Sequence, residues 1–334
     1  MFKRAIGIIG AGTWGITLAC ILSNAGHSVS VWSALEKEIQ EYQRGKPNSN
    51  LPQLKIPSNI LFTNKINEVC AEKAVIIFAV PSPYIRETAR RASAHIPGGQ
   101  LIVSVAKGIE ADTLYMMSDI LKEEICGENK SINIVALSGP THAEEVAQSM
   151  PTAIVAACEN PAHAEAVQDL FSNTCLRVYT NPDIRGVELC GALKNIIALA
   201  SGIASGLGYG DNTRAALITR GMAEITRLGL AMGCKEHTFA GLAGIGDLIV
   251  TATSDHSRNN RAGKMIGEGH TVANALKSVG MVVEGVNALP AAMQLANYYN
   301  VDLPLISSTN NIIFHGADPA NEVSKLMMRE RKME

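Results

Sequence analysis

The amino-acid sequence predicts an α/β protein with two domains, a doubly wound sheet followed by an all-helical C-terminal domain. The chain has 334 residues, which is long for a single hydrophobic core. Its first half alternates short runs rich in Val and Ile with helical patterns, the order typical of a parallel sheet covered by helices. Beyond Arg185-Gly186 helical patterns dominate, so we expect a sheet domain over residues 1–186 and a helical domain over residues 187–334.

Each predicted element follows from the spacing of its apolar residues. Continuous apolar runs indicate strands buried on both faces of a sheet, whereas a spacing of three and four residues indicates helices. The strands are predicted at residues 5–9, 28–32, 74–80, 101–105 and 134–137, with a helix over 15–24 between the first two. In the second domain, helices are predicted over residues 189–207, 214–232, 261–267, 285–299, 304–314 and 318–328.

Composition and charge exclude several classes of protein. Hydrophobic residues make up 47% of the chain and charged residues 18%, which indicates a packed protein rather than a disordered one. The formal net charge is -2 and no long basic block occurs, so we expect neither nucleic-acid binding nor a polybasic membrane anchor. The apolar stretch 189–207 is long enough to span a membrane, but its Lys-Asn pair and repeated glycines favour a buried core helix.

The seven cysteines are scattered and show no spacing typical of zinc ligands. An odd, dispersed set in a chain of this size indicates reduced thiols. The apolar start of the chain breaks at glycines and lacks a convincing cleavage site, so it is interpreted as the first strand rather than as a signal peptide. We therefore expect a cytoplasmic protein without a metal, and not an integral membrane protein.

A glycine-rich loop, G-x-G-x-x-G, follows the first predicted strand and opens the first predicted helix. Gly10 permits a tight turn, Gly12 lets a pyrophosphate approach the backbone, and Gly15 allows close packing of the helix on the sheet. The N–H groups at the start of that helix attract phosphate. Because both flanking elements are present, the loop predicts a Rossmann-type dinucleotide-binding domain.

The end of the second strand normally distinguishes NAD from NADP. An acidic residue there holds the ribose 2′-hydroxyl of NAD, whereas a nearby arginine accommodates the 2′-phosphate of NADP. This chain has Ser-Ala-Leu-Glu-Lys at residues 33–37, which matches neither arrangement. Glu36 and Lys37 are equally well explained as first-turn or surface residues of the next helix, so the choice of nucleotide stays open.

Lys194 interrupts the apolar stretch 189–207, which is interpreted as a buried helix. Its neighbours three and four positions away are uncharged, so no partner on its own helix face explains the ammonium group. Two interpretations are open from this segment alone. Either Lys194 extends its ammonium group to the surface, or it is a buried catalytic base, since burial lowers the pKa of a lysine toward neutrality.

Two polar segments follow further strands of the first domain, at the carboxyl ends where ligands bind in such sheets. Lys107 lies in the sequence VAKGIE, and His142 lies in SGPTHA. Lys107 is interpreted either as a ligand contact or as a surface lysine. His142 is a candidate general base, but a histidine that begins a helix is more often a residue of the helix cap, and we favour that interpretation.

The second domain contains a carboxylate in glycine-rich surroundings and a cluster of hydrogen-bond donors. Asp247 lies in GLAGIGDL and is a natural partner for a buried lysine; the alternative is an Asp that caps a helix or closes a turn. Ser257, Arg258 and Asn259 form a compact donor set suited to phosphate, because the Arg fork binds phosphate oxygens. The alternative for this set is the solvated start of a helix.

Seven motifs, in this order, resemble those of the bacterial NAD(P)-dependent glycerol-3-phosphate dehydrogenase family. They are GAGTWG, VAKGIE, SGPTHA, ELCGALKN, GLAGIGDL, SRNNR and VVEG. The resemblance implies reversible hydride transfer that reduces dihydroxyacetone phosphate to sn-glycerol 3-phosphate for glycerophospholipid synthesis. It further implies NAD or NADP as a dissociable cosubstrate, no metal, and a homodimer in the cytoplasm.

The resemblance also implies roles for individual residues. Lys194 resembles the residue that accepts the proton of the C2 hydroxyl in oxidation and donates it in reduction. The implied substrate contacts are Lys107, Gly139, Thr141, Lys194, Asp247, Ser257, Arg258 and Asn259. The implied nucleotide contacts, with the glycines of the loop, are Gly10, Gly12, Thr13, Trp14, Gly15, Lys107, Ala143, Arg258, Val282 and Glu284.

Two positions depart from the family's pattern. Family members often carry a basic residue after the second strand, where this chain has Ala34, so a contact to a 2′-phosphate is left open. His142 stands where the family has an aromatic residue, and we expect a local packing difference there. Two other functions are weighed beside this one: a β-hydroxyacid dehydrogenase of similar design, and a non-catalytic dinucleotide sensor, for which the buried lysine and its polar partners would be superfluous.

Overall fold

The computed structural model describes residues 3–126 and 130–331. Within them the chain folds into two compact units. The first comprises the residues up to Lys107 together with Tyr115–Glu188, and the second comprises Gly108–Leu114 together with the residues from Leu189 onward. The transition falls near the boundary predicted after residue 186, but the sequence does not predict that Gly108–Leu114 joins the second unit.

The first unit is built on one sheet, which has eight strands in the described part of the chain. The strands are β1 (Ala5–Ile9), β2 (Ser28–Trp32), β3 (Leu61–Thr63), β4 (Val75–Phe78), β5 (Gln100–Ser104), β6 (Ile132–Ser138), β7 (Thr152–Ala157) and β8 (Leu176–Asn181). Their order is β3-β2-β1-β4-β5-β6-β7-β8, and all neighbours are parallel except the antiparallel pair β6 and β7. The direction of winding reverses between β1 and β4, the place where ligands bind in doubly wound sheets.

Both faces of this sheet are buried, as the continuous apolar runs predict. Along β1, Ile8 packs into one apolar core and Ile9 into the other, because successive side chains of a strand point to opposite faces. Ile102 and Val103 of β5 repeat this alternation. The helices that cover the faces are α1 (Thr13–Asn24), α2 (Glu36–Gln43), α3 (Ile66–Cys70), α4 (Ile85–Ser93), α5 (Met117–Cys126), α6 (Ala143–Val146) and α7 (Pro161–Leu170), with a 3₁₀ turn at Ser82–Tyr84.

The doubly wound sheet is as predicted, and its one antiparallel pair, β6 with β7, involves a strand that is not predicted from the sequence. The connection between these strands contains only the four-residue α6, and the chain returns along the sheet instead of crossing over behind it. Strands β3, β7 and β8 are absent from the sequence prediction. β3 has only three residues and β8 alternates buried with exposed positions, so neither shows a continuous apolar run.

The second unit is helical in its described part. Its helices are α8 (Ile184–Gly206), which belongs to this unit from Leu189 onward, α9 (Asp211–Ala231), α10 (Glu236–Phe239), α11 (Asp247–Thr253), α12 (Arg258–Gly267), α13 (Val272–Val279), α14 (Glu284–Tyr298), α15 (Pro304–His315) and α16 (Pro319–Met327). A π-helical turn, Leu242–Gly246, precedes α11. Among the described helices α8 alone is long and apolar enough to cross a membrane, yet 94% of its apolar window is buried inside the protein, as expected of a core helix.

Helices α8 and α12 pack with their backbones in contact. Glycines face each other at this crossing: Gly202 and Gly206 on α8, Gly263 and Gly267 on α12. A Cβ atom built on any of the four would lie 2.1–2.2 Å from a carbonyl oxygen of the other helix. Only glycine permits this approach, so the crossing fixes α12 against the C-terminal part of α8.

Candidate active site

The glycine-rich loop between β1 and α1 has the geometry of a phosphate cradle. Gly10 has φ +119°, and a Cβ there would lie 2.7 Å from the carbonyl of Ala79. A Cβ on Gly15 would lie 2.0 Å from the carbonyl oxygen of Gly10. By contrast, a Cβ on Gly12 would meet nothing within 4 Å. The first and third glycines are required by the fold, whereas the second leaves open space that suits a pyrophosphate.

The start of α1 completes this cradle. Thr13 is its first residue, and the Gly12 cap supplies no side chain to its N–H groups. The first turn contains no acidic residue, so the positive end of the helix dipole suits phosphate. Thr13 Oγ1 accepts a hydrogen bond from Asn50 Nδ2 at 3.1 Å, and Tyr42 donates its hydroxyl to the carbonyl of Ala11 at 2.9 Å. Neither supporting side chain was predicted from the sequence: Tyr42 lies near the end of α2, and Asn50 lies in the irregular segment after it.

The chain after β2 is where the nucleotide's ribose would lie. Ser33 Oγ donates to Glu38 Oε2 at 2.5 Å and accepts from the backbone N–H of Leu35 at 3.1 Å. This turn leaves Ala34 and Leu35 exposed. Burial raises the pKa of Glu38, against the effect of the Ser33 hydrogen bond. The Glu38 carboxylate is thus held by its hydrogen bond to Ser33, and the exposed tip of the turn, Ala34 and Leu35, is apolar.

Lys107, Gly139 and Thr141 come together at the carboxyl ends of β5 and β6. Lys107 Nζ donates to the carbonyl of Gly139 at 3.2 Å, and Thr141 Oγ1 donates to the same oxygen at 3.1 Å. Lys107 is half-buried, which disfavours the interpretation as a plain surface lysine. His142 occupies the cap position of α6 without a side-chain cap bond, and Ala143 is the first residue of that helix.

Two buried hydroxyl groups lie beside this cluster. Among the described residues, Ser104 Oγ and Ser138 Oγ are buried side-chain oxygens that have no hydrogen-bond partner. Ser104 pairs in register with Ala136, and Ser138 is two residues further along β6, so both hydroxyls lie on the same face of the sheet. They end the strands that lead to Lys107 and Gly139.

Lys194 is buried and paired, which excludes the interpretation that it extends to the surface. Lys194 Nζ donates to a carboxylate oxygen of Asp247 and, at 2.6 Å, to Thr251 Oγ1. Thr251 donates its own hydroxyl to the backbone carbonyl of Asp247 at 2.6 Å. Only 6% of Lys194, 1% of Asp247 and 5% of Thr251 is exposed. The prediction that Asp247 is the partner of Lys194 is confirmed by this geometry.

The π-helical turn before α11 places Asp247 next to Lys194. A Cβ on Gly244 would lie 2.1 Å from the carbonyl oxygen of Phe239, so the turn packs directly on the end of α10. Asp247 is the first residue of α11 and the acidic residue of its first turn, where the helix dipole favours a negative charge. Asp247 therefore occupies a helix start, as the alternative interpretation predicts, and also holds the lysine.

The donor set at the start of α12 is more buried than a solvated helix start. Ser257 is 4% exposed and caps α12, its Oγ accepting from the N–H of Asn260 at 3.2 Å. Arg258 is half-buried. Asn259 is 7% exposed, and its side chain bonds to Asn195 and to the backbone of Gly285. The remaining predicted contacts are also half-buried, Trp14 in the first turn of α1 and Val282 and Glu284 at the start of α14.

Two polar side chains of this unit were not predicted as site residues, Thr251 and Asn195. Thr251 lies four residues after Asp247 on α11, so a helical spacing placed both on one face. That signal becomes informative only once α11 is known to begin at Asp247. In the described part of the chain, no group of three or more His, Cys, Asp or Glu side chains is arranged to hold a metal ion.

The fold, the phosphate cradle and the buried centre around Lys194 together define a class of protein. A doubly wound sheet with a phosphate cradle, and a helical unit with a buried lysine–carboxylate centre, are the parts of a nicotinamide-nucleotide-dependent oxidoreductase. Residues 5–164 match the N-terminal domain of the NAD-dependent glycerol-3-phosphate dehydrogenase family, and residues 183–324 match its C-terminal domain. The chain belongs to this family, and the predicted resemblance is confirmed.

Individual relatives agree with this assignment. The chain is 58% identical over 331 residues to a glycerol-3-phosphate dehydrogenase (NAD(P)+) of Lactobacillus delbrueckii subsp. bulgaricus, with 98% of each chain covered. It is 49% identical to that of Agathobacter rectalis, with 98% of this chain and 97% of the relative covered. Its fold matches the crystal structure of glycerol-3-phosphate dehydrogenase from Coxiella burnetii with a TM-score of 0.93 at 34% identity, covering 98% of this chain and 100% of that one.

Proposed function

We propose that this protein catalyses the reversible, NAD(P)-dependent reduction of dihydroxyacetone phosphate to sn-glycerol 3-phosphate. The observation that carries the proposal is the buried centre of Lys194, Asp247 and Thr251. A buried ammonium group held by a carboxylate and a hydroxyl suits proton transfer to a ketone oxygen. Family membership supplies the substrate class and favours it over a β-hydroxyacid.

Lys194 is the proposed proton donor for ketone reduction and the acceptor in the reverse direction. The bound reduced nucleotide supplies the hydride. As negative charge develops on the C2 oxygen, the Lys194 ammonium group stabilises it and transfers a proton to it. Asp247 and Thr251 orient Nζ through their hydrogen bonds. Because Asp247 is nearly inaccessible to solvent, its charge compensates the ammonium group rather than being screened by water.

The substrate phosphate is a dianion and needs cationic and neutral donors. The proposed substrate contacts are Lys107, Gly139, Thr141, Lys194, Asp247, Ser257, Arg258 and Asn259. The planar guanidinium of Arg258 and the ammonium of Lys107 supply the charge. Binding energy from the phosphate then orients the ketone for reaction.

The proposed nucleotide contacts are Gly10, Gly12, Thr13, Trp14, Gly15, Lys107, Ala143, Arg258, Val282 and Glu284. The open space at Gly12 and the start of α1 suit the pyrophosphate. The exposed Ala34 provides no charge for a 2′-phosphate. NAD and NADP are therefore both tested below.

We further propose that the protein is a cytoplasmic homodimer whose product enters glycerophospholipid synthesis. These statements are supported by the family resemblance and by the net charge of -2, which disfavours nucleic-acid partners. Light scattering coupled to gel filtration tests the dimer. A mass of 35.5 kDa in solution, the mass of one chain, would contradict it.

The proposed activity is tested by initial rates with dihydroxyacetone phosphate, measured in parallel with NADH and NADPH. We expect turnover with the phosphorylated ketone, whereas 2-methyl-3-hydroxypropanoate with NAD+ or NADP+ gives none. Turnover on the latter alone would favour a β-hydroxyacid dehydrogenase. Nucleotide binding without turnover of any hydroxy or keto phosphate would favour the sensor.

A further inference from the structure

A chain of amide hydrogen bonds joins three helices of the second unit next to Lys194. The backbone N–H of Gly285 donates to Asn259 Oδ1 at 2.9 Å, and Asn259 Nδ2 donates to Asn195 Oδ1 at 2.9 Å. Asn195 Nδ2 donates in turn to the carbonyl of Gly191, one turn earlier on α8, at 3.0 Å. We call Gly285, Asn259 and Asn195, with these bonds, the amide bridge.

The amide bridge is buried and has a fixed direction. Asn195 is 5% exposed and Asn259 is 7% exposed, and a buried amide without a hydrogen-bond partner is destabilising. Rotating either amide by half a turn would place oxygen against oxygen or N–H against N–H. Each side chain therefore has one favoured orientation, which links α8, α12 and α14.

Gly285 brings the start of α14 into direct contact with α8. A Cβ atom on Gly285 would lie 2.5 Å from the carbonyl oxygen of Asn195 and 3.0 Å from Asn259 Oδ1. Any larger residue would separate the two helices at this point. The hydrogen bonds and the backbone contact thus act at the same place.

Each member of the amide bridge immediately follows a residue with a proposed role in the reaction. Those residues are Lys194, Arg258 and Glu284. Their proposed roles are, respectively, proton transfer, phosphate binding and nucleotide contact. The amide bridge consequently sets the spacing of three separate functions within one unit.

We propose that Asn195 is a positioning residue, which holds Lys194 in register with the starts of α12 and α14 through the amide bridge. The inference rests on the proposed function. A displacement of about 1 Å in a reacting group lowers the rate by about 100-fold, so loss of the bridge acts on kcat. This role differs from a direct contact with the substrate, the role proposed for Asn259, whose loss also acts on KM.

A double-mutant cycle separates the two roles. Asn195→Ala, Asn259→Ala and the double variant are compared with the wild type in kcat, in KM for dihydroxyacetone phosphate and in nucleotide affinity. We expect each single variant to lose about tenfold or more in kcat. The kcat of the double variant is expected to lie within about threefold of that of the less active single variant. Multiplying losses of kcat, or a tenfold rise in KM at unchanged kcat in Asn195→Ala, would overturn the proposal.

Gly285→Ala tests the same contact between α14 and α8 without altering a hydrogen-bonding side chain. The added methyl group collides with the backbone of Asn195, so we expect the same loss of kcat with KM for dihydroxyacetone phosphate little changed. The control is Thr309→Val on α15, which removes a buried hydroxyl bonded to Leu305 at 2.7 Å. The control is expected to keep wild-type kcat, and Gly285→Ala behaving like it would count against the bridge.

Nucleotide affinity distinguishes failure of this proposal from failure of the proposed function. If the wild type does not reduce dihydroxyacetone phosphate, the proposed function is wrong. The bridge is then judged by the dissociation constant for NADH, measured by quenching of tryptophan fluorescence. Asn195→Ala and Gly285→Ala are expected to weaken NADH binding by about fivefold, since the nucleotide-contact residues of α14 shift. Wild-type affinity in both variants would overturn the positioning role.

Discussion

Lys194 and Asp247 form a buried ion pair between two helices, α8 and α11. Taking two charges out of water costs several kcal/mol per ion, and mutual attraction offsets this cost only when further hydrogen bonds support the pair. Thr251 provides such a bond to the ammonium group. The pair thus holds the lysine in one place without being a large source of stability.

Asp247→Ala is expected to lower the free energy of unfolding by about 3–5 kcal/mol, because it leaves a buried ammonium group without its carboxylate. Urea denaturation measures the change. The matched control is the double variant Lys194→Met/Asp247→Leu, which removes both charges and keeps the volume. It is expected to regain stability to within about 1 kcal/mol of the wild type while remaining inactive. A single variant as stable as the wild type would contradict the pairing.

Thr251→Val removes the hydroxyl that supports Lys194 and keeps the shape of the side chain. We expect kcat to fall by about tenfold or more, because Nζ loses one of the bonds that orient it. Thr251→Ser retains the hydroxyl and is expected to keep most of the activity. Steady-state kinetics measure kcat for the two variants. Equal kcat values in both would show that the Thr251 hydroxyl does not take part in catalysis.

The sequence predicts the strands with continuous apolar runs but not the edges of the sheet. The spans predicted at 5–9 and 28–32 coincide with β1 and β2, since glycines and polar residues bound them sharply. The strands of the far edge, β7 and β8, were missed. β8 alternates buried with exposed positions and so has no uninterrupted apolar run. β7 is an apolar run, but its antiparallel pairing with β6 depends on contacts distant in sequence.

The site residues that could be predicted from the sequence are those whose charge differs from the character of their neighbours in the chain. Lys194 stands out in an apolar helix, and Asp247 stands out in a glycine-rich turn. Thr251 and Asn195 do not stand out, because hydroxyl and amide side chains are ordinary on helices. Their partners, Lys194 and Asn259, lie 57 and 64 residues away in the chain, and only the packing of α8 against α11 and α12 brings them together.

Two buried glutamates make the stability of the protein depend on pH. Burial raises the pKa of Glu188 from 4.5 to about 7, against hydrogen bonds from Ser118. It does the same for Glu224, which accepts the N–H groups of Leu305 and Ile306 at the start of α15. Between pH 4.5 and 7 the folded state keeps protons that the unfolded state releases. The free energy of unfolding therefore falls as the pH rises through this range.

Glu224→Gln tests this dependence. Each glutamate contributes a slope of at most about 1.4 kcal/mol per pH unit, so the variant is expected to show a shallower fall than the wild type. Denaturation curves at intervals from pH 5 to pH 7 measure the slope. Glu188→Gln serves as an independent second case. Identical slopes in the wild type and in both variants would show that neither carboxyl group carries the effect.

Ser104→Ala and Ser138→Ala test the two buried hydroxyls without partners. Removing an unsatisfied polar group relieves its desolvation cost, so we expect the free energy of unfolding to be unchanged or raised by about 1 kcal/mol. A loss of stability of about 1 kcal/mol or more would instead mean that the hydroxyls hold an ordered water or a ligand. The affinity for dihydroxyacetone phosphate, measured on the same variants, separates these last two cases.

The central claim is that Lys194 transfers the proton, and Lys194→Ala tests it most directly. The decisive measurement is the single-turnover rate of dihydroxyacetone phosphate reduction at saturating nucleotide, together with nucleotide affinity. The loss of a general acid predicts a rate lower by at least about 100-fold, with nucleotide affinity unchanged. A variant that binds the nucleotide and reduces dihydroxyacetone phosphate at a near-normal rate would contradict the account.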